Sequence, residues 1–261
     1  MTATITTTTT PMGRVTALGR AELTLLSRNT LAMLTALLLP VGMVAVMRPT
    51  IAQMDLEKTG LDVNAVSMSG GVGFVLLFVV YYNLVTVYVA RREELVLKRL
   101  RTGEASDLEI LVGTALPAVA VALVQCLVLI AAGTALLDLD MPERAELLVA
   151  AVALGLVLLT ALAAASTVIT RTVEMAQITT TPLLFLSLVG SGLIIPLETM
   201  PDALANVCRL LPMTPVLELV RAGWVGGVGA HDVLGALATA LVWTGLAVFA
   251  VRRWFRWEPR R

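Results

Sequence analysis

The feature that most constrains this chain is a series of six apolar stretches, each about as long as a membrane is thick. A helix needs about 20 mostly apolar residues to cross the hydrocarbon core of a bilayer. Backbone polar groups in hydrocarbon must be bonded within the segment, so such stretches are predicted to be helices. None of the six has Asp, Glu, Lys or Arg in its interior. The predicted spans are residues 31–47, 69–90, 110–137, 147–170, 178–196 and 233–251.

Composition supports a membrane protein with one transmembrane domain. Of the 261 residues, 57% are hydrophobic and 15% are charged, whereas soluble domains are about 45–50% apolar and about 25% charged. A chain this short cannot bury so much apolar surface in a water-facing core, so the excess must face lipid. We therefore predict an all-α polytopic membrane protein, with a disordered threonine-rich tail at 1–13 and a single six-span domain at 14–261. The net charge of zero gives no reason to expect a nucleic-acid partner.

The basic residues between the spans predict the orientation. Five of them fall on one side, and the remaining fourteen fall on the other side, which is therefore predicted to be cytoplasmic. Both termini then lie inside, which requires an even number of spans, and six satisfies it. The five are Arg48, Lys58, Arg144, Arg209 and Arg221, and the fourteen are Arg14, Arg20, Arg28, Arg91, Arg92, Lys98, Arg99, Arg101, Arg171, Arg252, Arg253, Arg256, Arg260 and Arg261.

The segment before the first span, at 14–28, has apolar residues at roughly helical spacing with charged residues between them. This pattern predicts an N-terminal helix lying in the membrane surface. An ordinary solvated lead-in to the first span remains the alternative.

The cytoplasmic connector between the second and third spans is the most informative stretch. Val96, Leu97 and Leu100 share one face of a short charged helix, and Glu94 precedes Lys98 by four residues, the favoured order for an ion pair. A short amphipathic helix at the cytoplasmic surface is suited to docking on a partner protein. A solvated loop whose charges keep it out of the lipid fits the same pattern.

The end of this connector carries its own signals. Gly103 is a stop signal for the short helix. Ser106 and Glu109 form an S-x-x-E capping box directly before the third apolar stretch. The chain is therefore predicted to turn at Gly103 and to start a new helix after Ser106.

The external connector between the fifth and sixth spans is too long for a turn and too interrupted for a span. Pro201 and Pro215 each mark the first turn of a helix, Pro212 ends the first helix and Gly223 ends the second. Thr214 gives the second helix its start signal. Two short helices are predicted, at about 201–211 and 215–222, which either dip into the membrane or lie across its external mouth. A folded surface loop is the alternative.

The sequence lacks the motifs of an enzyme or of a self-powered pump. There is no G-x-x-x-x-G-K-[ST] phosphate loop, and one histidine with two separated cysteines makes no metal cluster. Carriers driven by ions usually hold ionisable groups at mid-membrane depth, whereas these spans offer neutral groups such as Asn83 and Gln125, typical of helix–helix hydrogen bonds. We therefore expect a channel-like or transporter subunit powered by another protein, with no cofactor bound by this chain. A non-transport scaffold or sensor subunit is the alternative, and an ion-coupled carrier fits less well.

Four stretches in a fixed order carry a resemblance to a known family. They are Ser27-Arg28-Asn29-Thr30 leading to Pro40, Arg92-Glu93 through Leu97-Lys98-Arg99-Leu100-Arg101-Thr102-Gly103, Pro182 to Pro196 followed by Met200-Pro201, and Leu211-Pro212-Met213-Thr214-Pro215 through Val220-Arg221-Ala222. Together they make the chain similar to the ABC-2 family of bacterial ABC-exporter permeases, which includes the daunorubicin-resistance-type drug-efflux permeases. The likeness covers nearly the whole chain.

This resemblance implies a function and a set of partners. Such a permease pairs with a second copy and with two copies of an ATP-binding subunit that carries the ATP and Mg²⁺, and it exports a hydrophobic or amphipathic substrate through the bacterial inner membrane. The connector between spans two and three would be the coupling helix, with Val96, Leu97 and Leu100 buried in the partner. The implied coupling residues are Arg91, Arg92, Glu93, Glu94, Val96, Leu97, Arg99, Leu100 and Arg101, and the implied external re-entrant segment contains Pro201, Pro212, Thr214, Pro215 and Arg221.

Overall fold

The computed structural model describes residues 10, 12–13, 16, 20, 24, 30–53, 61–136, 141–226 and 228–258. Within this part of the chain the regular elements are helices. The first five are α1 (Thr30–Ala52), α2 (Val63–Glu93), α3 (Val96–Arg101), α4 (Asp107–Leu136) and α5 (Ala145–Ser166). They are followed by α6 (Val173–Gly190), a 3₁₀ turn (Leu197–Thr199), α7 (Asp202–Cys208), α8 (Thr214–Val225) and α9 (Ala230–Trp254).

Five of these helices, α2, α4, α5, α6 and α9, are long and apolar enough to cross a membrane. The prediction of an all-α polytopic membrane protein is therefore confirmed. The first predicted span falls on α1, whose 23 residues include Pro40 and Pro49, and the count of six spans stays a prediction. The predicted surface helix at 14–28 and the tail at 1–13 lie outside the described residues, apart from a few isolated positions.

Side chains with oxygen atoms set where the helices begin. The Ala65 amide donates to Asp62 Oδ1 at 2.8 Å at the start of α2. The predicted capping box is confirmed at α4, where the Ser106 amide donates to Glu109 Oε2 at 2.7 Å and the Glu109 amide donates to Ser106 Oγ at 3.4 Å. Each contact satisfies an amide that the first helical turn leaves without a partner.

The fifth span differs most from its prediction. Helix α6 begins at Val173, five residues before the predicted start, because Thr172 caps it by accepting from the Met175 amide at 3.3 Å. It ends at Gly190, well before Pro196, and Gly192 adopts a φ of +77° that leaves the helical path. The connector between α5 and α6 is therefore short, and most of the segment expected to be loop is helix.

Helix α2 lies at the centre of the bundle. In its most apolar window 67% of residues are buried, against 17% for α9 and 28% for α6, which leaves the latter two with the faces expected to meet lipid. Helices α1, α4, α5 and α8 pack around α2. A run of small residues permits the close approach, since a Cβ added at Gly70 would lie 2.8 Å from the Leu193 carbonyl oxygen. The middle of α2, Leu76–Tyr82, is π-helical.

Candidate functional site

Helices α2 and α3 meet at a sharp bend formed by Glu94 and Leu95. Leu95 has a φ of +61° and is the sole non-glycine residue with a left-handed backbone in the described part of the chain. This conformation costs on the order of 1–2 kcal/mol for a residue with a side chain, so the surrounding contacts must hold it. The bend turns α3 away from the axis of α2 and leaves the Leu95 side chain 40% exposed.

The same bend prevents the ion pair that the sequence predicts between Glu94 and Lys98. An i,i+4 pair requires an unbroken helix between its members, and Leu95 interrupts the helix there. Glu94 instead pairs with Arg91 at 3.2 Å, and Lys98 Nζ lies 2.9 Å from Glu258 Oε1. The predicted pair is therefore wrong, although both residues are charged partners of other elements.

The nine residues predicted to couple to a partner do not share one environment. Leu97 has no exposed surface and Arg92 is 1% exposed. Because Leu97 is already buried inside the chain, the expectation that it inserts into a partner has to be corrected. Arg91, Val96 and Leu100 are half-buried, and the exposed members are Glu93, Glu94, Arg99 and Arg101.

The C-terminal segment supports α3 from the side. Lys98 pairs with Glu258, and the Arg101 guanidinium lies 5.0 Å from the centre of the Trp257 ring. Arg101 also pairs with Asp107 at the start of α4, with 3.0 Å between Nε and Oδ1. Sequence analysis missed this support, since the only local signal was the cluster of aromatic residues after the last span.

Arg92 connects the end of α2 to the turn between α5 and α6. Its Nη1 donates to the Thr167 carbonyl at 3.0 Å, and its Nη2 donates to the Thr170 carbonyl at 2.5 Å and the Arg171 carbonyl at 3.3 Å. The three predicted cytoplasmic pieces, α3, the turn after α5 and the C-terminal segment, thus lie at the same end of the bundle.

The predicted external end contains the two short helices, α7 and α8. Thr214 and Pro215 open α8 as expected, and Thr214 Oγ1 donates to the Cys208 carbonyl at 2.6 Å. Pro212 is buried between the two helices, and Pro201 immediately precedes α7. Helix α8 is largely buried against α5, α2 and α9 rather than lying loosely on the surface.

A buried arginine joins this segment to the 3₁₀ turn that follows α6. Arg221 is 7% exposed, and its Nη1 lies 3.2 Å from Glu198 Oε2. Gly192 makes room for it, because a Cβ at that position would lie 2.9 Å from Arg221 Nη2. Arg221, one of the five predicted external residues, is thus held by an ion pair inside the chain.

Beside Arg221 lies a cavity of about 770 Å³, which we call the external vestibule. This volume is within the range typical of ligand sites. Its lining combines apolar side chains from α2, α8 and α9 with four carboxylates, two arginines and one histidine. The polar lining residues are Asp62, Glu198, Arg209, Glu218, Arg221, His231, Asp232 and Thr239.

Glu218 is the carboxylate of the external vestibule whose protonation is most affected by its surroundings. Burial raises the pKa of its carboxyl, and the charges of Glu198 and Asp232 act in the same direction. Arg221 and Arg209 oppose the shift without cancelling it. Burial is thus the main reason that the Glu218 carboxyl holds its proton more strongly than an ordinary glutamate does.

Helix α2 also carries an aromatic and polar stripe, which runs from the buried Phe74 to the exposed Asn83. The rings of Phe74 and Phe78 stack with centroids 4.2 Å apart, and the Tyr82 ring follows 6.4 Å from Phe78. Asn83, next to Tyr82, is exposed within the most buried helix of the described chain. An amide exposed at this depth needs a polar partner or water, since hydrocarbon satisfies none of its hydrogen bonds.

The fold and these sites define an all-α polytopic membrane protein with an ordered connector between α2 and α4. Comparison with models of known families matches residues 14–224 to the family described as ABC-2 type transporter. The chain belongs to that family, and it is the membrane-spanning component of an ABC-type transporter. No individual curated protein matched the chain.

Proposed function

We propose that this chain is the permease subunit of an ABC exporter in the inner membrane of a bacterium, moving a hydrophobic or amphipathic substrate outward. A separate ATP-binding subunit, present in two copies, supplies the energy, and two permease copies form the path. The family match over residues 14–224 carries this proposal. We place both termini on the cytoplasmic side.

Helix α3 is the surface on which we expect the ATP-binding subunit to dock. It is held in a fixed place by α4 and by the C-terminal segment. A displacement of α3 by the partner is therefore transmitted to the helix bundle. Leu95 and Arg99 are exposed there, an apolar and a charged side chain of the kind that protein interfaces use. Leu95 replaces Leu97 as the apolar anchor that we expect the partner to contact.

The stripe on α2 supports an amphipathic substrate. The half-buried rings of Phe78 and Tyr82 favour flat apolar groups, and the exposed Asn83 amide favours hydrogen-bonding ones. This combination would suit a path between two permease copies better than a surface in contact with lipid.

Docking is tested by purifying the chain together with its proposed ATP-binding subunit. We expect the wild-type proteins to co-purify, and we expect Leu95→Asp and Arg99→Glu each to weaken the complex. Leu204→Asp is the matched control, because Leu204 is 51% exposed on α7 at the opposite end of the bundle. Equal binding by all four proteins would remove α3 as the docking surface.

The same preparation separates the proposed exporter from its alternatives. An exporter predicts that a substrate stimulates ATP hydrolysis by the complex. A scaffold or sensor subunit predicts no such stimulation by any compound. An ion-coupled carrier predicts transport that stops with uncouplers while ATP is held constant.

A further inference from the structure

Arg92 makes an unusual set of contacts for a residue in a charged surface connector. It is 1% exposed, and all three of its hydrogen bonds described above go to main-chain carbonyls of one short segment, Thr167, Thr170 and Arg171. A solvated arginine that merely keeps a loop out of the lipid would point to water. This side chain instead points back between α2 and the end of α5.

The chemistry of that segment explains why an arginine is needed. The last carbonyls of a helix have no partner within the helix, and they carry its partial negative charge. Thr167 directly follows α5, and Thr170 and Arg171 complete the turn. A guanidinium offers several donors in a fixed fork and stays charged, so it can bond carbonyls on both sides of the turn, whereas a lysine ammonium acts as a single point.

Further contacts make the cytoplasmic half of α2 a common support. Tyr81 and Ser166 share a hydrogen bond of 3.1 Å between their hydroxyl oxygens, which joins α2 to the last turn of α5. The Tyr88 hydroxyl donates to the Leu111 carbonyl at 2.9 Å, which joins α2 to α4. The turn after α5 continues directly into α6, which also packs on this part of α2.

From these contacts we propose that Arg92 is a positioning residue for energy coupling, an inference that rests on the proposed function. It makes the turn at 167–172 move together with α2 and α3 when the ATP-binding subunit pushes on α3. The movement then reaches α5 and α6 as well as α2 and α4. Arg92 does this from inside the chain, and it touches neither the partner subunit nor the substrate.

The direct test measures whether the two connectors move as one body. Spin labels are placed on Glu93 and Glu174, both exposed, after the buried Cys126 and Cys208 are replaced by alanine. We expect one narrow distance distribution that is the same in the nucleotide-free complex and in the complex trapped with ATP and vanadate. A distance that changes on trapping in the otherwise wild-type chain would overturn the proposal, whatever the variants do.

Arg92→Lys keeps the positive charge but removes the forked set of guanidinium hydrogen-bond donors. We expect its Glu93–Glu174 distribution to broaden, and we expect the substrate transported per ATP hydrolysed to fall about tenfold, within the range that mutations along a coupling element produce. Hydrolysis itself should persist, because the ATP site lies on the other subunit. Arg253→Lys, the same exchange on an exposed arginine in the last turn of α9, should leave both readouts at the wild-type level.

These readouts distinguish an error in the proposed role of Arg92 from an error in the proposed exporter function. If the wild-type complex shows no ATP-dependent transport, the proposed function is wrong, and the width of the label distribution without nucleotide still decides whether Arg92 holds the turn. If transport is ATP-dependent and Arg92→Lys keeps both a narrow distribution and the wild-type ratio of substrate transported to ATP hydrolysed, the proposed role of Arg92 is wrong. A fall in transport and hydrolysis by the same factor would show a purely structural role and would also contradict the proposal.

Discussion

Leu95 and Leu97 stand two residues apart in the connector between α2 and α4, yet Leu95 is 40% exposed and Leu97 has no exposed surface. Leu95 lies at the left-handed bend between α2 and α3, where its side chain reaches water, whereas Leu97 lies in the first turn of α3 and is covered by the rest of the chain. Residues two apart do not share a face of a helix, so an unbroken helix would not have placed both leucines on one surface either.

Aspartate substitutions at these two positions should therefore have opposite effects on the fold. Leu97→Asp places an unpaired charge in the interior, which costs several kcal/mol, so we expect aggregated protein. Leu95→Asp should stay monodisperse, because its side chain reaches water and aspartate tolerates the left-handed region. Gel filtration in detergent and thermal unfolding provide the measurement, and a monodisperse Leu97→Asp protein would show that the residue is not buried.

The close packing of α2 predicts a difference between two glycines. Gly70→Ala brings a Cβ to within 2.8 Å of the Leu193 carbonyl oxygen, a backbone atom that has little room to move. We expect the free energy of unfolding to fall by about 1–3 kcal/mol. The control is Gly245→Ala in α9, where nothing lies within 4 Å of the added atom, and there alanine should raise stability by up to about 1 kcal/mol. Unfolding in mixed detergent micelles compares the two, and equal values would contradict the packing of α2.

Glu218 should make stability depend on pH in a specific direction. Burial raises the pKa of its carboxyl in the folded chain, so the folded state holds this proton to higher pH than the unfolded state does. The contribution of Glu218 to stability is therefore present below its ordinary pKa and is lost as pH rises through the folded-state pKa.

Glu218→Gln removes this titration. We expect the variant to gain stability relative to the wild type as pH rises above the ordinary pKa of a glutamate, and to show no such gain below it. Unfolding curves of both proteins across the acidic to neutral range provide the measurement. A stability difference that does not vary with pH would mean that Glu218 is solvated like a surface carboxylate.

Two residues of the C-terminal segment should differ in their importance for α3. Glu258→Ala removes an exposed ion pair to Lys98, in which the side chains are 52% and 62% exposed, and should cost less than about 1 kcal/mol. Trp257→Ala removes the contact with Arg101 and the edge-on contact with Phe255, whose ring centres are 4.8 Å apart. We expect it to cost about 2 kcal/mol. If thermal unfolding ranks them in the reverse order, the ion pair and not the ring supports α3.

Much of the fold could be predicted because its signals are local. Apolar length placed α2, α4, α5, α6 and α9, and the S-x-x-E pattern located the start of α4. Pro215 likewise marked the start of α8 within one residue. Each of these features depends on a few residues that are neighbours in sequence. Such residues either suit the apolar interior of a membrane or cap the start of a helix.

The candidate site was harder to predict because its contacts are distant in sequence. Arg92 finds its acceptors more than seventy residues away, at Thr167 and Thr170. Lys98 finds Glu258 near the other end of the chain. Helical spacing alone assigned Leu97 to a partner-facing surface, since it gave no sign that Leu95 would adopt a left-handed backbone.

The proposed ATP-driven export path is tested most directly by uptake of fluorescent amphipathic compounds, such as ethidium and doxorubicin. The uptake is measured in inside-out vesicles that contain the chain and its proposed ATP-binding subunit. We predict that at least one member of a broad panel accumulates when ATP is added, that vanadate abolishes the uptake, and that uncouplers leave it unchanged. Uptake that follows the ion gradient and ignores vanadate would contradict the account.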